Sequence, residues 1–227
     1  MAGRPEGNPS TSRPLIRQRH ALLTGLLLLV AASQLPEVLA QSSLRSTFPG
    51  RRVGGGTRGE CSSRLVANLV PSTSVFAPGS SLQIGLLEGP TANPRPVRLS
   101  FRPLNSDAAH SSGVERLLPA SPAGVTLLAV SALKVPTVWE SAYKCEEGSA
   151  TAANNPLAFV QSESPPAVSL LVADNDSTPE DKPLQTALQQ LRRFCGSTVP
   201  RAQVAKAFGM TDVVNGEWPA ELPVRCL

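Results

Sequence analysis

Proline and glycine punctuate this chain so densely that long helices are disfavoured over most of its length. The 227 residues include 22 prolines and 17 glycines. Clusters typical of turns, such as Glu88-Gly89-Pro90 and Ser164-Pro165-Pro166, separate short apolar runs. The pattern therefore predicts short strands that are joined by turns.

Seven of the runs between these turns have the composition of strands. They cover roughly residues 64–70, 82–88, 97–103, 125–130, 137–145, 156–161 and 167–173. In the third run apolar and polar residues alternate, as a half-buried strand requires. In the fifth, Trp139, Ser141, Tyr143 and Cys145 share one face. We expect a mainly β fold, an immunoglobulin-like β-sandwich of about seven strands over residues 61–175.

The periodicity changes after Asp174 and predicts a helical tail over residues 176–227. Apolar residues there follow the spacing of an amphipathic helix that begins near Pro183 and stops at Gly196. A second, shorter helix is predicted over about 200–208, with Gly209 at its end. The apolar face of the first helix is formed by Leu184, Ala187, Leu188, Leu191 and Phe194.

The amino terminus has the order of features that defines a secretion signal. Four arginines lie in residues 1–20, an apolar run extends from Ala21 to Ala32, and Val38-Leu39-Ala40 offers a peptidase site. The run is too short for the roughly 20 apolar residues of a membrane span. We therefore expect residues 1–40 to be a signal peptide, the protein to be periplasmic or extracellular, and the mature chain to lack a transmembrane span. Residues 41–60, rich in Ser, Arg and Gly, are predicted to form a flexible leader.

All four cysteines, Cys61, Cys145, Cys195 and Cys226, follow the predicted cleavage site. An even number in an exported chain indicates two disulfides, with three possible connectivities. Pairing Cys195 with Cys226 would close the helical tail and leave Cys61 with Cys145. A metal site is the rival interpretation, but there is no CxxC pair and His110 is the one histidine after the signal. We therefore expect no metal and no cofactor.

Charge argues against nucleic acid as a partner. The net charge of +4 falls to about +2 without the first 40 residues, so the basic balance comes partly from the signal. Residues 201–211 resemble the first helix and turn of a helix-turn-helix reader, but residues 212–222 contain Gly216 and Pro219 and no basic residue. A packing helix that ends at a glycine is the better interpretation.

Three further segments resemble known sites without their structural context. Residues 54–59 match the GxGxxG phosphate loop, but Arg51-Arg52-Val53 precedes them and no helix pattern follows. Asp107, His110 and the serines beside it have the residue types of a hydrolase triad, but they lie in one predicted loop, 105–113. The acidic segment 174–181 departs from the EF-hand pattern, and helix capping is the expected role, with a loose calcium site as the alternative.

The segment 51–61, followed by Leu65-Val66-Ala67-Asn68-Leu69-Val70-Pro71, resembles the opening of a domain-of-unknown-function family of exported proteins from photosynthetic bacteria. The likeness extends over about residues 51–145, through a proline-glycine turn at 122–124 and an aromatic strand that ends at Cys145. It implies a periplasmic β domain with a helical tail, and it supports a Cys61–Cys145 disulfide. It implies no activity.

The sequence contains no catalytic constellation, which favours a non-catalytic binding or structural module of the cell envelope. Such a module would engage protein or an envelope polymer through strand edges or the helical tail. The alternative is a secreted hydrolase built on carboxylates such as Glu140, Glu146 and Glu147. A pocket that gathers two acids would favour the enzyme, and an exposed apolar surface would favour the binding module.

Overall fold

The structure is a computed structural model that describes residues 44–55, 64–105, 113–144 and 165–227. Eleven strands and two α-helices lie in these segments. In chain order they are β1 (Val53–Gly54), β2 (Val66–Asn68), β3 (Val75–Phe76), β4 (Gln83–Glu88), β5 (Val97–Pro103), β6 (Val114–Leu118), β7 (Gly124–Ala129), β8 (Thr137–Tyr143), β9 (Ala167–Leu171), α1 (Asp181–Arg192), β10 (Thr198–Pro200), α2 (Arg201–Ala207) and β11 (Glu221–Cys226).

The strands form two sheets that pack face to face. One sheet has the order β1-β2-β4-β7-β11-β10, and the other has the order β3-β9-β8-β5-β6. Most neighbours are antiparallel, but β3 with β9 and β7 with β11 are parallel. The mainly β prediction is confirmed, with eleven described strands instead of about seven.

The core lies between the sheets, and a second apolar layer lies under the helices. Trp139 on β8 and Leu86 on β4 are fully buried in the main cluster, together with Leu188 and Leu191 of α1 and Phe208 after α2. Residues of one strand alternate between the two faces of its sheet, so the predicted face of Trp139, Ser141 and Tyr143 points inward and is buried.

The predicted helices are present. The apolar face of α1 packs on the sheet that contains β4, where Gly85 allows close approach. A Cβ at Gly85 would lie 2.7 Å from Leu188 Cδ2. Gly196 and Gly209 both have positive φ, in agreement with their predicted roles at the helix ends.

Residues 45–55 differ from the flexible leader that the sequence predicts, because their backbone pairs with both sheets. Val53 pairs with Ala67 on β2, while Arg51 exchanges two hydrogen bonds of 2.8 and 2.7 Å with Val168 on β9. The segment thus closes one side of the sandwich. Gly54 permits this contact, since a Cβ there would lie 2.3 Å from the nitrogen of Ala167.

Residues 45–227 form one unit, which includes both the predicted sandwich and the predicted tail after residue 175. β11, at the end of the tail, pairs with β7 inside the six-stranded sheet. Val224 on β11 is buried and aligned with Val125 on β7. The tail therefore contributes strands to the sandwich as well as helices that cover it.

Candidate functional site

An open cavity of about 370 Å³ is lined by residues of β5, β6, β8 and β9 and by the segment at the end of β7. Phe101 of β5 and Val114 and Arg116 of β6 form one wall. Residues 129–134, which follow β7, form the other, and Leu171 lies at the base. The volume is at the lower end of the range of small-ligand pockets. It can accept one large side chain or a small ligand.

The aromatic packing behind Phe101 makes this wall rigid. Its ring is stacked on that of Trp139, with centroids 6.3 Å apart and planes inclined by 12°. Trp139 is fully buried, and its indole nitrogen has no hydrogen-bond partner. A ligand in the cavity would therefore contact a fixed apolar surface, the ring of Phe101, behind which the indole of Trp139 lies.

The strand β6 is the edge of its sheet in the described part of the chain. It pairs with β5 along one side, and no described residue pairs with its other side. Four of its five residues are exposed, and the side chains of Val114 and Leu117 are 65% and 57% exposed. An exposed strand edge with apolar side chains is a template for the pairing of another strand.

The cavity is electropositive. Arg116 and Lys134 line it, and none of the described residues around it carries a negative charge. The described ion pairs involve neither of these two cations. The closest candidate acid from the sequence analysis, Glu140, lies on the opposite face of the sheet. There it forms a 3.0 Å ion pair with Arg102.

A second polar cluster surrounds Glu88 at the end of β4, and it is sealed from solvent. The Glu88 carboxylate accepts hydrogen bonds from Ser121 Oγ at 2.8 Å and from an Arg225 nitrogen at 2.9 Å. Arg64 Nη1 lies 3.7 Å from its other oxygen. Glu88 and Arg64 are almost fully buried. Because Glu88 is almost fully buried, the cluster serves to join β4 and β11 of the six-stranded sheet with the segments that precede β2 and β7.

Tyr143 lies beside this cluster. The Arg64 guanidinium is 4.9 Å from the centre of its ring, and its hydroxyl donates to the carbonyl oxygen of Leu65 over 3.0 Å. Burial raises the pKa of the Tyr143 hydroxyl well above its usual value; the positive charge of Arg64 opposes this shift in part. The phenol is thus a hydrogen-bond donor and a packing group.

The acidic segment 174–181 leads into α1, and its residue before the helix, Glu180, makes no side-chain capping hydrogen bond. Asp174–Asp176 forms a 3-10 turn, and Asp181 is fully buried. The Asp181 carboxylate accepts hydrogen bonds from the Thr178 amide at 2.7 Å, from the Ala77 amide at 3.2 Å and from Arg45 at 2.7 Å. Its oxygens are therefore committed to protein donors outside α1, so this carboxylate does not perform the predicted capping of the helix. Within the described segments, no group of three or more acidic, His or Cys side chains could hold a metal ion.

The other sequence candidates do not form a site in the described residues. Gly54 belongs to β1, and Gly55 has a φ of +98° and donates to Pro165, which gives these glycines a backbone role. Val204 of α2 is buried, as expected of a packing helix. Gly56 and Gly59, the loop residues Asp107 and His110 to Ser112, and the acids Glu146 and Glu147 all lie outside the described residues.

The disulfide prediction is confirmed for one pair. Cys195 and Cys226 are joined, with Cα atoms 5.6 Å apart, so the bridge links the end of α1 to the end of β11. Cys61 and Cys145 lie outside the described residues, as do the predicted signal peptide of residues 1–40 and the predicted strand 156–161. Among the described helices, none is both long and apolar enough to cross a membrane.

Sequence reasoning missed the β6 edge and the cavity. The sequence predicts a loop over 105–113 and no strand over 114–118, where the structure has β6. Its sequence, Val-Glu-Arg-Leu-Leu, alternates at 114–116 and then places two leucines together. The signal for a strand in this segment was the pair of apolar residues Val114 and Leu117, which lie on opposite faces of it and flank the charged residues Glu115 and Arg116.

The chain matches no protein-family model, no curated protein and no solved structure.

Proposed function

We propose that this protein is an exported, non-catalytic binding module that recognises an extended peptide of a partner protein by adding it as a strand to β6. The observation that carries the proposal is the outer edge of β6, with which no described residue pairs, and its exposed side chains of Val114 and Leu117. Backbone pairing supplies affinity in such complexes, and adjoining pockets supply selectivity.

Export is supported by the Cys195–Cys226 bridge, because disulfides persist in oxidising compartments. The predicted signal peptide points the same way. The immunoglobulin-like connectivity and the likeness to the exported domain family stay predictions, and the proposal depends on neither.

The alternative of a carboxylate-based hydrolase finds less support. Glu140 is held by Arg102 on the face of the sheet that points away from the cavity. Glu88 is buried, and its Oε2 accepts hydrogen bonds from Ser121 and Arg225. Neither is placed to share a substrate with a second acid.

The test is the binding of short synthetic peptides in which apolar and polar residues alternate, measured by fluorescence anisotropy with labelled peptides. The same peptides with two central prolines are the matched control, because they lack the N–H groups that a strand edge requires. We expect the alternating peptides to bind and to slow amide exchange in β6. Failure of all alternating peptides to bind would refute the proposal.

A variant of the protein tests the place of binding. Alternate N–H groups of an edge strand point away from the sheet, and a proline is tolerated at those positions alone. Glu115 and Arg116 are neighbours, so the N–H group of one of them points away from the sheet. Of the variants Glu115→Pro and Arg116→Pro, the one at that position should keep the wild-type unfolding midpoint, and this well-folded variant should lose peptide binding. If the well-folded variant binds as the wild type does, the β6 edge is not the site.

A further inference from the structure

We infer that the partner strand carries a large apolar residue opposite Val114 and an acidic residue opposite Arg116, two positions away on the same face. This inference rests on the proposed strand addition at β6 and names the peptide that β6 selects.

The alternation of β6 defines the two positions. Val114 and Arg116 are two residues apart, so they point to the same face of the sheet, and both line the cavity. Val114 is aligned with Phe101 on β5, which forms the apolar wall. A strand added to the outer side of β6 would place one side chain beside Val114, at the mouth of this apolar space.

Charge complementarity defines the second position. A residue opposite Arg116 would face that guanidinium, and the other cation that lines the same cavity is Lys134. Since no described lining residue is acidic, a carboxylate there would meet the positive charge of Arg116 with no negative charge of the lining to oppose it. A lysine or arginine at that position would be repelled, which gives selectivity as well as affinity.

The opposite face of β6 gives a different preference. Glu115 and Leu117 point away from the cavity, so a residue opposite Glu115 faces a negative charge. The peptide pattern is therefore acidic on the cavity side alone. A purely acidic peptide would be disfavoured by Glu115.

The test uses three labelled peptides with an identical alternating frame and a phenylalanine at the position opposite Val114. The position opposite Arg116 carries Glu, Gln or Lys. We expect the Glu peptide to bind about three- to fivefold more tightly than the Gln peptide, the range for an exposed charge pair, and the Lys peptide to bind more weakly than both. Added salt should reduce these differences.

Charge exchange provides the decisive variant. Arg116→Glu should weaken the Glu peptide by about fivefold or more and strengthen the Lys peptide. Lys182→Glu makes the same change of charge on α1, which packs on the other sheet, and should alter neither affinity. Thermal unfolding verifies that both variants keep the fold.

The outcomes separate the two proposals. If the peptides bind at β6 with equal affinity for Glu, Gln and Lys, this inference is refuted while strand addition stands. If none binds, both are refuted. If the protein alone forms a dimer and the well-folded proline variant is a monomer, the β6 edge pairs with a second copy of the chain. The acidic peptide is then refuted as the occupant of this edge.

Discussion

The side chains of Asn68 and Ser141 are hydrogen-bonded across the interior of the sandwich, with Ser141 Oγ donating to Asn68 Oδ1 over 2.8 Å. The amide nitrogen of Asn68 donates to Ser169 Oγ over 2.9 Å. Asn68 lies on β2 in one sheet, and both serines lie in the other sheet. All three are fully buried. The triad fixes the position of one sheet on the other, since directional bonds tolerate less sliding than apolar contacts do.

Replacement of Asn68 by alanine is expected to lower the free energy of unfolding by about 2–4 kcal/mol, because two hydrogen bonds are lost and two buried hydroxyls are left unpaired. Urea denaturation followed by tryptophan fluorescence measures the change. The triple variant Asn68→Ala/Ser141→Ala/Ser169→Ala should be less destabilised than the sum of the single variants, because it leaves no polar group unpaired. Additive effects would show that the triad does not act as a unit.

The local pattern of the sequence was sufficient to predict the strands in which apolar residues alternate. Six predicted runs correspond to β2, β4, β5, β7, β8 and β9, and the spacing of Leu184, Leu188 and Leu191 located α1. β5 and β8 show the alternation of a strand with one exposed face, whereas β2, β4 and β7 are buried on both faces and are apolar runs bounded by turn residues; both signals lie in consecutive residues.

The elements that were missed depend on pairing between distant residues. β3 has two residues and exists through its parallel contact with β9. β11 contains Pro223, which argues against a strand, yet it pairs on both sides, with β7 and with β10. The cavity could not be predicted for the same reason, since its walls come from β5, β6 and the segment after β7.

The raised pKa of Tyr143 predicts a loss of stability at alkaline pH. The folded state holds this proton more tightly than the unfolded chain does, so its contribution is complete below the unfolded pKa of about 10 and decreases as pH rises above it. Tyr143 is the single tyrosine of the chain, so the absorbance of tyrosinate reports on it alone. We expect ionisation to be delayed in the folded protein relative to the urea-unfolded protein.

Tyr143→Phe is the control for this titration. It keeps the ring beside Arg64 and removes the hydroxyl that donates to Leu65. The difference in unfolding free energy between the wild type and this variant should shrink above pH about 10, where other groups titrate equally in both. A difference that is constant up to strongly alkaline pH would contradict the burial of the phenol.

The Cys195–Cys226 bridge is expected to contribute about 3–4 kcal/mol by the chain-entropy estimate, because it closes a loop with a sequence separation of 31 residues. The double variant Cys195→Ala/Cys226→Ala should be destabilised by this amount in urea. The same variant should also show faster amide hydrogen exchange in β11, because the bridge holds the end of this strand. Peptide mapping without reductant should recover the two cysteines in one linked fragment. A fragment that joins Cys195 to another cysteine would contradict the structure.

The ion pair between Arg45 and Asp181 predicts that the segment before β1 is anchored to the start of α1. Their nearest atoms are 2.7 Å apart, and Arg45 also donates to the carbonyl oxygens of Val75 and Asp176. Asp181→Ala should cost about 3–5 kcal/mol, because a buried guanidinium loses its counter-charge and two amides lose their acceptor. Asp174→Ala, which removes an exposed acid of the neighbouring turn, should change stability by about 0.5 kcal/mol or less.

Amide exchange distinguishes anchoring from general destabilisation. Arg45→Ala should accelerate exchange in residues 45–55 more than in β7, because the Asp181 carboxylate keeps its bonds to Thr178 and Ala77 when the arginine is removed. In a double-mutant cycle, Arg45→Ala/Asp181→Ala should be less destabilised than the sum of its parts, since neither charge is then left alone. Equal acceleration in both regions would mean that the arginine supports the whole fold, and the segment would then be no separate anchor.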